Sequence, residues 1–259
     1  MRRAPLPHRL AALALQGILL VAAPRFAPLG AQHASPAPRD SLRAPGEASS
    51  FRIVPRRPIA ALRAEALAAV PPVESPTLLA GDLVDLATVD PRIRFDIRYA
   101  TTDNFMGAAM YDRAAPRLQR PAAEALGRVA RALAAEGLGV LVYDAYRPWY
   151  VTKMFWEATP DSQRVFVADP ARGSRHNRGA AVDLTLYDLR TGRPLPMPSG
   201  YDEFSERAYP DYAGGTAEAR ANRARLRRAM EAAGFTVYEA EWWHFDHAGW
   251  RDWAIGNVP

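Results

Sequence analysis

An imidazole and a carboxylate seven residues apart, His176 and Asp183, mark the stretch Ser174-Arg175-His176-Asn177-Arg178-Gly179-Ala180-Ala181-Val182-Asp183. Both side chains are ligands of the kind Zn²⁺ accepts. Asp183 lies in an apolar, β-branched run (Val182, Leu184, Thr185, Leu186) that reads as a strand. Residues an odd number apart on one strand face opposite ways. His176 and Asp183 therefore share an ion only if the chain bends between them, and Gly179 is where a bend costs least. A second motif, Glu241-Trp242-Trp243-His244, carries another imidazole with a carboxylate three residues before it.

The histidines support this pairing. There are five in the chain, and His8 and His33 fall in an amino-terminal segment read below as leader and tether. The other three, His176, His244 and His247, all belong to the two motifs. A lone histidine is most often a hydrogen-bonded core residue, and Trp242-Trp243 beside one is most often packing. Two clusters that together use every histidine of the folded region point to metal instead.

A hydrolytic zinc site has three protein ligands and leaves one position for water, whose pKa falls toward ~7. It also needs a base for the water's proton and a donor for the oxyanion. His176, Asp183 and His244 supply one Zn²⁺ per chain with ligands, and Glu241 is the carboxylate left over. On a flat strand Glu241 and His244 would face opposite sides, so a bulge or bend is predicted within residues 241–244. His247 shares the strand parity of Glu241 and is the rival ligand. Arg147, in Asp144-Ala145-Tyr146-Arg147-Pro148, follows a buried strand at a place suited to a functional side chain; an ion pair with Asp144 on the surface is its ordinary alternative.

Several elements must position these groups. Strands are predicted over 83–89, 93–99, 138–143, 180–186 and 235–245, and helices over 120–136, 149–158 and 216–233. Gly137 and Gly234 close the first and last helices. The mixed order, without a repeating βαβ unit, predicts an α+β class: a single domain with a mainly antiparallel sheet packed by helices and the zinc site at the sheet.

Ahead of the domain, Arg2, Arg3 and Arg9 precede a 14-residue apolar run at 10–23, the pattern of a secretory signal over residues 1–31. That run is too short to cross a bilayer comfortably, so no transmembrane span is expected in the mature chain. Residues 32–79 are rich in proline and are expected to form a mostly disordered tether, with one short helix near 58–70. The domain is then residues 80–259, and an exported, periplasmic protein is expected.

The formal charge of +5 is misleading, because residues 1–77 hold ten Arg against four acidic side chains. The remaining 23 basic and 24 acidic side chains nearly cancel, which leaves no electrostatic footprint for nucleic acid. With no cysteine, a metal must be held through nitrogen and oxygen.

The paired motifs Ser174-x-His176-x-x-Gly179-x-Ala181-x-Asp183 and Glu241-x-x-His244 resemble those of the zinc peptidases that include lysostaphin, D-Ala-D-Ala metallopeptidases and the hedgehog amino-terminal domain. Within that group the chain is similar to D-alanyl-D-alanine dipeptidases of the VanX type, through Tyr99-Ala100-Thr101-Thr102-Asp103-Asn104-Phe105, Asp144 to Pro148, Asp183-Leu184-Thr185-Leu186 and Tyr201-Asp202-Glu203-Phe204 as well. The resemblance implies His176, Asp183 and His244 as zinc ligands, Glu241 as general base and Arg147 as the group that polarises the scissile carbonyl. It further implies that Ser174 and Asp202 hold the free amino terminus of a small dipeptide, with Tyr99 and Tyr111 lining the same pocket. D-Ala-D-Ala hydrolysis in cell-wall peptide turnover is the expected activity. The alternatives are a D,D-carboxypeptidase acting on stem peptides and a non-catalytic zinc-containing binding domain.

Overall fold

The computed structural model describes residues 51–259. The segment read as a leader and residues 32–50 of the expected tether lie outside the described residues. Those described all belong to one compact unit, and among them no helix is long and apolar enough to cross a membrane.

A five-stranded sheet organises the domain. β1 (Leu83–Asp85) stands apart from it; β2 (Ile93–Phe95) forms one edge. The sheet continues through β4 (Leu138–Asp144), β5 (Ala181–Asp188) and β7 (Glu241–His247), and β6 (Phe235–Tyr238) forms the other edge. Only β2 and β4 run parallel, and the remaining pairs are antiparallel. The small second sheet pairs β1 with β3 (Arg117–Gln119). β4 is buried at every position and β5 at all but its last, because both faces of these central strands are covered.

The helices follow from their apolar spacing. α2 (Arg120–Ala134), with Pro121 in its first turn, buries Leu126, Val129, Ala130 and Leu133. α4 (Ala217–Ala232) buries Ala219, Asn222, Leu226 and Met230, a stripe at spacings of three and four. The Thr216 hydroxyl accepts from the Ala219 N–H at 3.1 Å and caps α4. α3 (Trp149–Ala158) is apolar almost all round and is accordingly buried.

Three expectations need correction. Residues 51–79 are not a tether. α1 (Ile59–Ala68) packs on α3, burying Leu62 and Ala66, and the backbone N–H groups of Ile53 and Arg56 donate to Phe105 O and Ala158 O. Proline density there marks turns between docked pieces rather than lack of structure. The predicted strand over 93–99 stops at Phe95, since the chain turns in over Arg98–Ala100 and Arg98 is buried against Asp96 and the ring of Tyr143. The strand predicted over 235–245 is a hairpin, β6 and β7 joined at Glu239-Ala240.

Candidate active site and metal centre

The ligands are assembled by the register of two central strands. Asp183 on β5 lies directly opposite His244 on β7, so their side chains are neighbours on one face. His176 comes from a single helical turn, His176–Arg178, that precedes β5. Gly179 ends that turn at φ 65°, a left-handed conformation, and a Cβ there would lie 2.5 Å from Leu83 Cδ2. The Gln119 N–H donates to Gly179 O at 2.8 Å and pins the bend to β3.

His176 Nε2, Asp183 Oδ1 and His244 Nδ1 converge. The aspartate oxygen is 3.2 Å from His176 Nε2 and 3.1 Å from His244 Nδ1, and the two nitrogens are 3.1 Å apart. Ligand atoms on a tetrahedral zinc ion, bonded at ~2.0–2.1 Å, stand roughly 3.3 Å apart. The hydrogen bonds on the far sides of the rings assign the tautomers. His176 Nδ1–H donates to Ala145 O at 2.6 Å, and His244 Nε2–H donates to Asp246 Oδ1 at 2.9 Å. With those protons outward, the second nitrogen of each ring faces inward, available to an ion, beside a buried Asp183 oxygen that accepts no hydrogen bond. One cation between them would satisfy all three. Burial disfavours a charged His244, yet Asp246 and Asp183 raise its pKa to about 10, so the carboxylates around it favour positive charge here. Two imidazoles and a carboxylate, with no thiolate, fit zinc.

The other oxygen of Asp183 is held by Tyr201, which the sequence did not single out, and faces Arg147, which it did. Tyr201 donates its hydroxyl to Asp183 Oδ2 at 3.0 Å, and Arg147 Nη2 lies 3.7 Å from the same oxygen. One carboxylate oxygen is thus committed to protein and the other is left for the ion. Asp246 carried a legible signal, since it lies two residues from His244 and shares its strand face. Tyr201 carried none beyond adjacency to Asp202.

Glu241 reaches the same site because β7 is irregular. Against β6 the register passes from Val237 opposite Phe245 to Tyr238 opposite Glu241, so β7 carries extra residues over the predicted segment. Glu241 Oε2 comes within 3.7 Å of His244 Nδ1. Burial, reinforced by the Asp183 charge, raises the Glu241 pKa to about 7 against the opposing pull of His244 and Arg147. Arg147 does pair with Asp144, through Nε at 2.9 Å and Nη2 at 2.8 Å, but the pair is buried rather than on the surface. The rings of Tyr99 and Phe155 hold the guanidinium 5.2 and 5.0 Å from their centroids.

These groups line one cleft of about 610 Å³, together with Tyr99, Ser174 and Asp202. Among the described residues Asp202 is the one non-glycine at positive φ, 56°. Its carboxylate accepts from the Tyr99 hydroxyl at 2.7 Å. Burial first, then the charges of Asp183 and Glu241, hold its pKa well above the ordinary carboxylate range despite that bond and Arg147. Ser174 Oγ accepts from the His176 N–H at 3.1 Å, so Ser174 also braces the ligand turn. Two expectations about the site are corrected. Tyr111 does not line the cleft; its hydroxyl donates to Asp144 Oδ1 at 2.7 Å, which supports Arg147 from a second pocket. His247 is no ligand, because it packs on Phe235 and its Nδ1 accepts from the Gly249 N–H at 3.3 Å.

Comparisons with known proteins identify the family. The family described as D-ala-D-ala dipeptidase matches residues 80–251. A D-alanyl-D-alanine dipeptidase of Escherichia coli (strain K12) is 39% identical over 165 residues, covering 64% of this chain and 84% of that protein. One from Enterococcus faecium is 35% identical over 171 residues, 59% of this chain and 85% of that one. One from Streptomyces coelicolor is 34% identical over 185 residues, 64% of this chain and 92% of that one.

Proposed function

This chain belongs to the D-Ala-D-Ala dipeptidase family of metallopeptidases, and from that premise we propose that it hydrolyses the D-Ala-D-Ala dipeptide with one Zn²⁺ per chain and Glu241 as general base. The observation that carries the reading is the convergence of one ligand atom each from His176, Asp183 and His244, with Glu241 beside them. A divalent ion held by His176, Asp183 and His244 supplies Lewis acidity toward the scissile carbonyl and makes water nucleophilic near neutral pH. Every other role falls to the chain's own residues.

Glu241 takes the proton of the attacking water on its carboxylate as the new C–O bond forms. Its carboxylate lies beside the ligand atoms, 3.7 Å from His244 Nδ1, where a general base for that water must stand. As the C–N bond breaks, the same carboxyl returns the proton to the departing amine. Arg147, fixed by Asp144, offers its guanidinium to the charge that develops on the carbonyl oxygen. Asp202 and Ser174 hold the ammonium end of the substrate, and Tyr99 orients the Asp202 carboxylate. A longer peptide would bury an uncharged amide against Asp202, which is the basis for selecting dipeptides. With the expected leader, the same chemistry acts outside the cytoplasm, on peptides released from the cell wall.

The test is Glu241→Gln. It is expected to retain zinc and to lose kcat by several orders of magnitude, while chelation abolishes wild-type turnover and added Zn²⁺ restores it. Near-wild-type turnover in Glu241→Gln removes Glu241 from the base role. Faster hydrolysis of N-acetyl-D-Ala-D-Ala than of the free dipeptide would favour a carboxypeptidase.

A further inference from the structure

We propose that Arg175 is the anchor for the substrate's terminal carboxylate, an inference that rests on the dipeptidase reading and names the residue for the end that Asp202 does not hold. A free dipeptide is a zwitterion. Its ammonium is accounted for, and its carboxylate needs a cation in the same cleft.

Five arginines line the cleft: Arg147, Arg164, Arg172, Arg175 and Arg178. Arg147 is engaged by Asp144. Arg178 is spent on Trp253 O and Glu74. Arg164 pairs with Asp161 and lies over Trp156, on the segment beyond α3. Arg172 is exposed and has no aromatic or carboxylate partner among the described residues to hold it in place. The carboxylate of a dipeptide lies one residue from the bond that is cut, a span of ~3.3–3.6 Å, so its anchor must sit beside the metal centre and not at the rim.

Arg175 meets that requirement. Its Nε lies 3.4 Å from Asp246 Oδ2, the carboxylate whose other oxygen accepts from His244. Among the described residues no acceptor meets either of its Nη groups, and the side chain is 39% exposed. The guanidinium is 5.0 Å from the Trp250 centroid and 5.8 Å from that of Tyr238, and both rings line the cleft. Two aromatic faces and one carboxylate hold a planar fork ready to be met by two oxygens.

The topology also places it at the correct end. Tyr99, whose hydroxyl holds Asp202, follows the edge strand β2; Tyr238, under Arg175, ends the opposite edge strand β6. Asp183 and His244 lie on strands between them. The cleft therefore has the Asp202 carboxyl group on one side of the metal ligands and, on the other, a guanidinium whose Nη groups meet no acceptor, the order in which a dipeptide's two ends would be laid across the site.

The experiment compares D-Ala-D-Ala with its C-terminal amide on wild type, Arg175→Gln and Arg175→Lys. Arg175→Gln is expected to raise KM for the free acid about ten- to hundredfold, to leave the amide nearly unchanged, and to keep the zinc affinity measured by chelator competition; Arg175→Lys recovers part of the preference. Equal loss on both substrates, or a fall in zinc affinity that explains the loss, overturns the proposal and leaves Arg175 as support for Asp246 and His244. An unchanged acid preference overturns it outright. Binding of the two ligands to Glu241→Gln, with and without Arg175→Gln, probes the same preference without turnover: wild-type failure to hydrolyse D-Ala-D-Ala would refute the dipeptidase reading, whereas loss of acid-over-amide discrimination with Arg175→Gln would still support the anchor.

Discussion

The hydroxyl of Tyr201 donates to Asp183 Oδ2 at 3.0 Å, on the carboxylate oxygen that does not face the histidines. It fixes which oxygen is free to ligate. Tyr201→Phe keeps the ring, which stacks on Tyr143 at 4.6 Å, and removes only that bond. Zinc affinity is expected to fall about tenfold or more, as outer-shell losses at metal sites do. Chelator competition on the folded variant measures it, and wild-type affinity would show that Asp183 needs no such support.

Removing the metal should destabilise the fold. Without a cation, His176 Nε2, His244 Nδ1 and Asp183 Oδ1 must take up a proton or repel one another. An ion present at a hundred times its dissociation constant adds about 2.7 kcal/mol. Thermal melts before and after chelation, with metal content checked, should differ by several degrees. Coincident melts would refute the coupling.

Substrate binding should weaken in acid, and Asp202 sets the range. Its pKa is raised, so the neutral carboxyl persists to higher pH than for an ordinary aspartate. The anion is the form that attracts an ammonium. KM for D-Ala-D-Ala is therefore expected to rise as pH falls through that raised pKa, from above the usual carboxylate range. Asp202→Asn should raise KM and flatten this dependence. A wild-type KM that stays level until ordinary carboxylate pH values would count against Asp202 as the ammonium site.

The packing of α1 predicts a stability effect far from the chemistry. Leu62 is 2% exposed within the core that α1 and α3 share. Leu62→Ala is expected to cost about 2–5 kcal/mol, read by denaturant melts, with KM unchanged. A cost below ~1 kcal/mol would mean that residues 51–79 are held only loosely, as a tether would be.

Much of the site was legible because it depends on residue chemistry at short range. His176, Asp183, Glu241 and His244 stood out by type and spacing, and strand parity alone required both the turn at Gly179 and the irregularity in β7. Tertiary partners were not legible. Thr236 to Ala240 contains no glycine, proline or asparagine, so nothing marked the hairpin that separates β6 from β7. The prolines of residues 51–79 obscured Leu62 and Ala66, whose burial depends on α3, nearly a hundred residues later. Asp144 looked like a surface partner for Arg147 because the element covering it, which brings Tyr111, lies far off in sequence.

Glu74 accepts from both the Arg178 guanidinium and the Ile255 N–H, and Leu79 N–H donates to Asp252 O at 2.8 Å. The family match spans 80–251, so Glu74, Leu79, Asp252 and Ile255 lie outside it. A fragment cut to the homologous limits would strand a nearly buried arginine two positions from a metal ligand. The contacts that brace the ligand turn thus reach beyond the family's own limits on both sides.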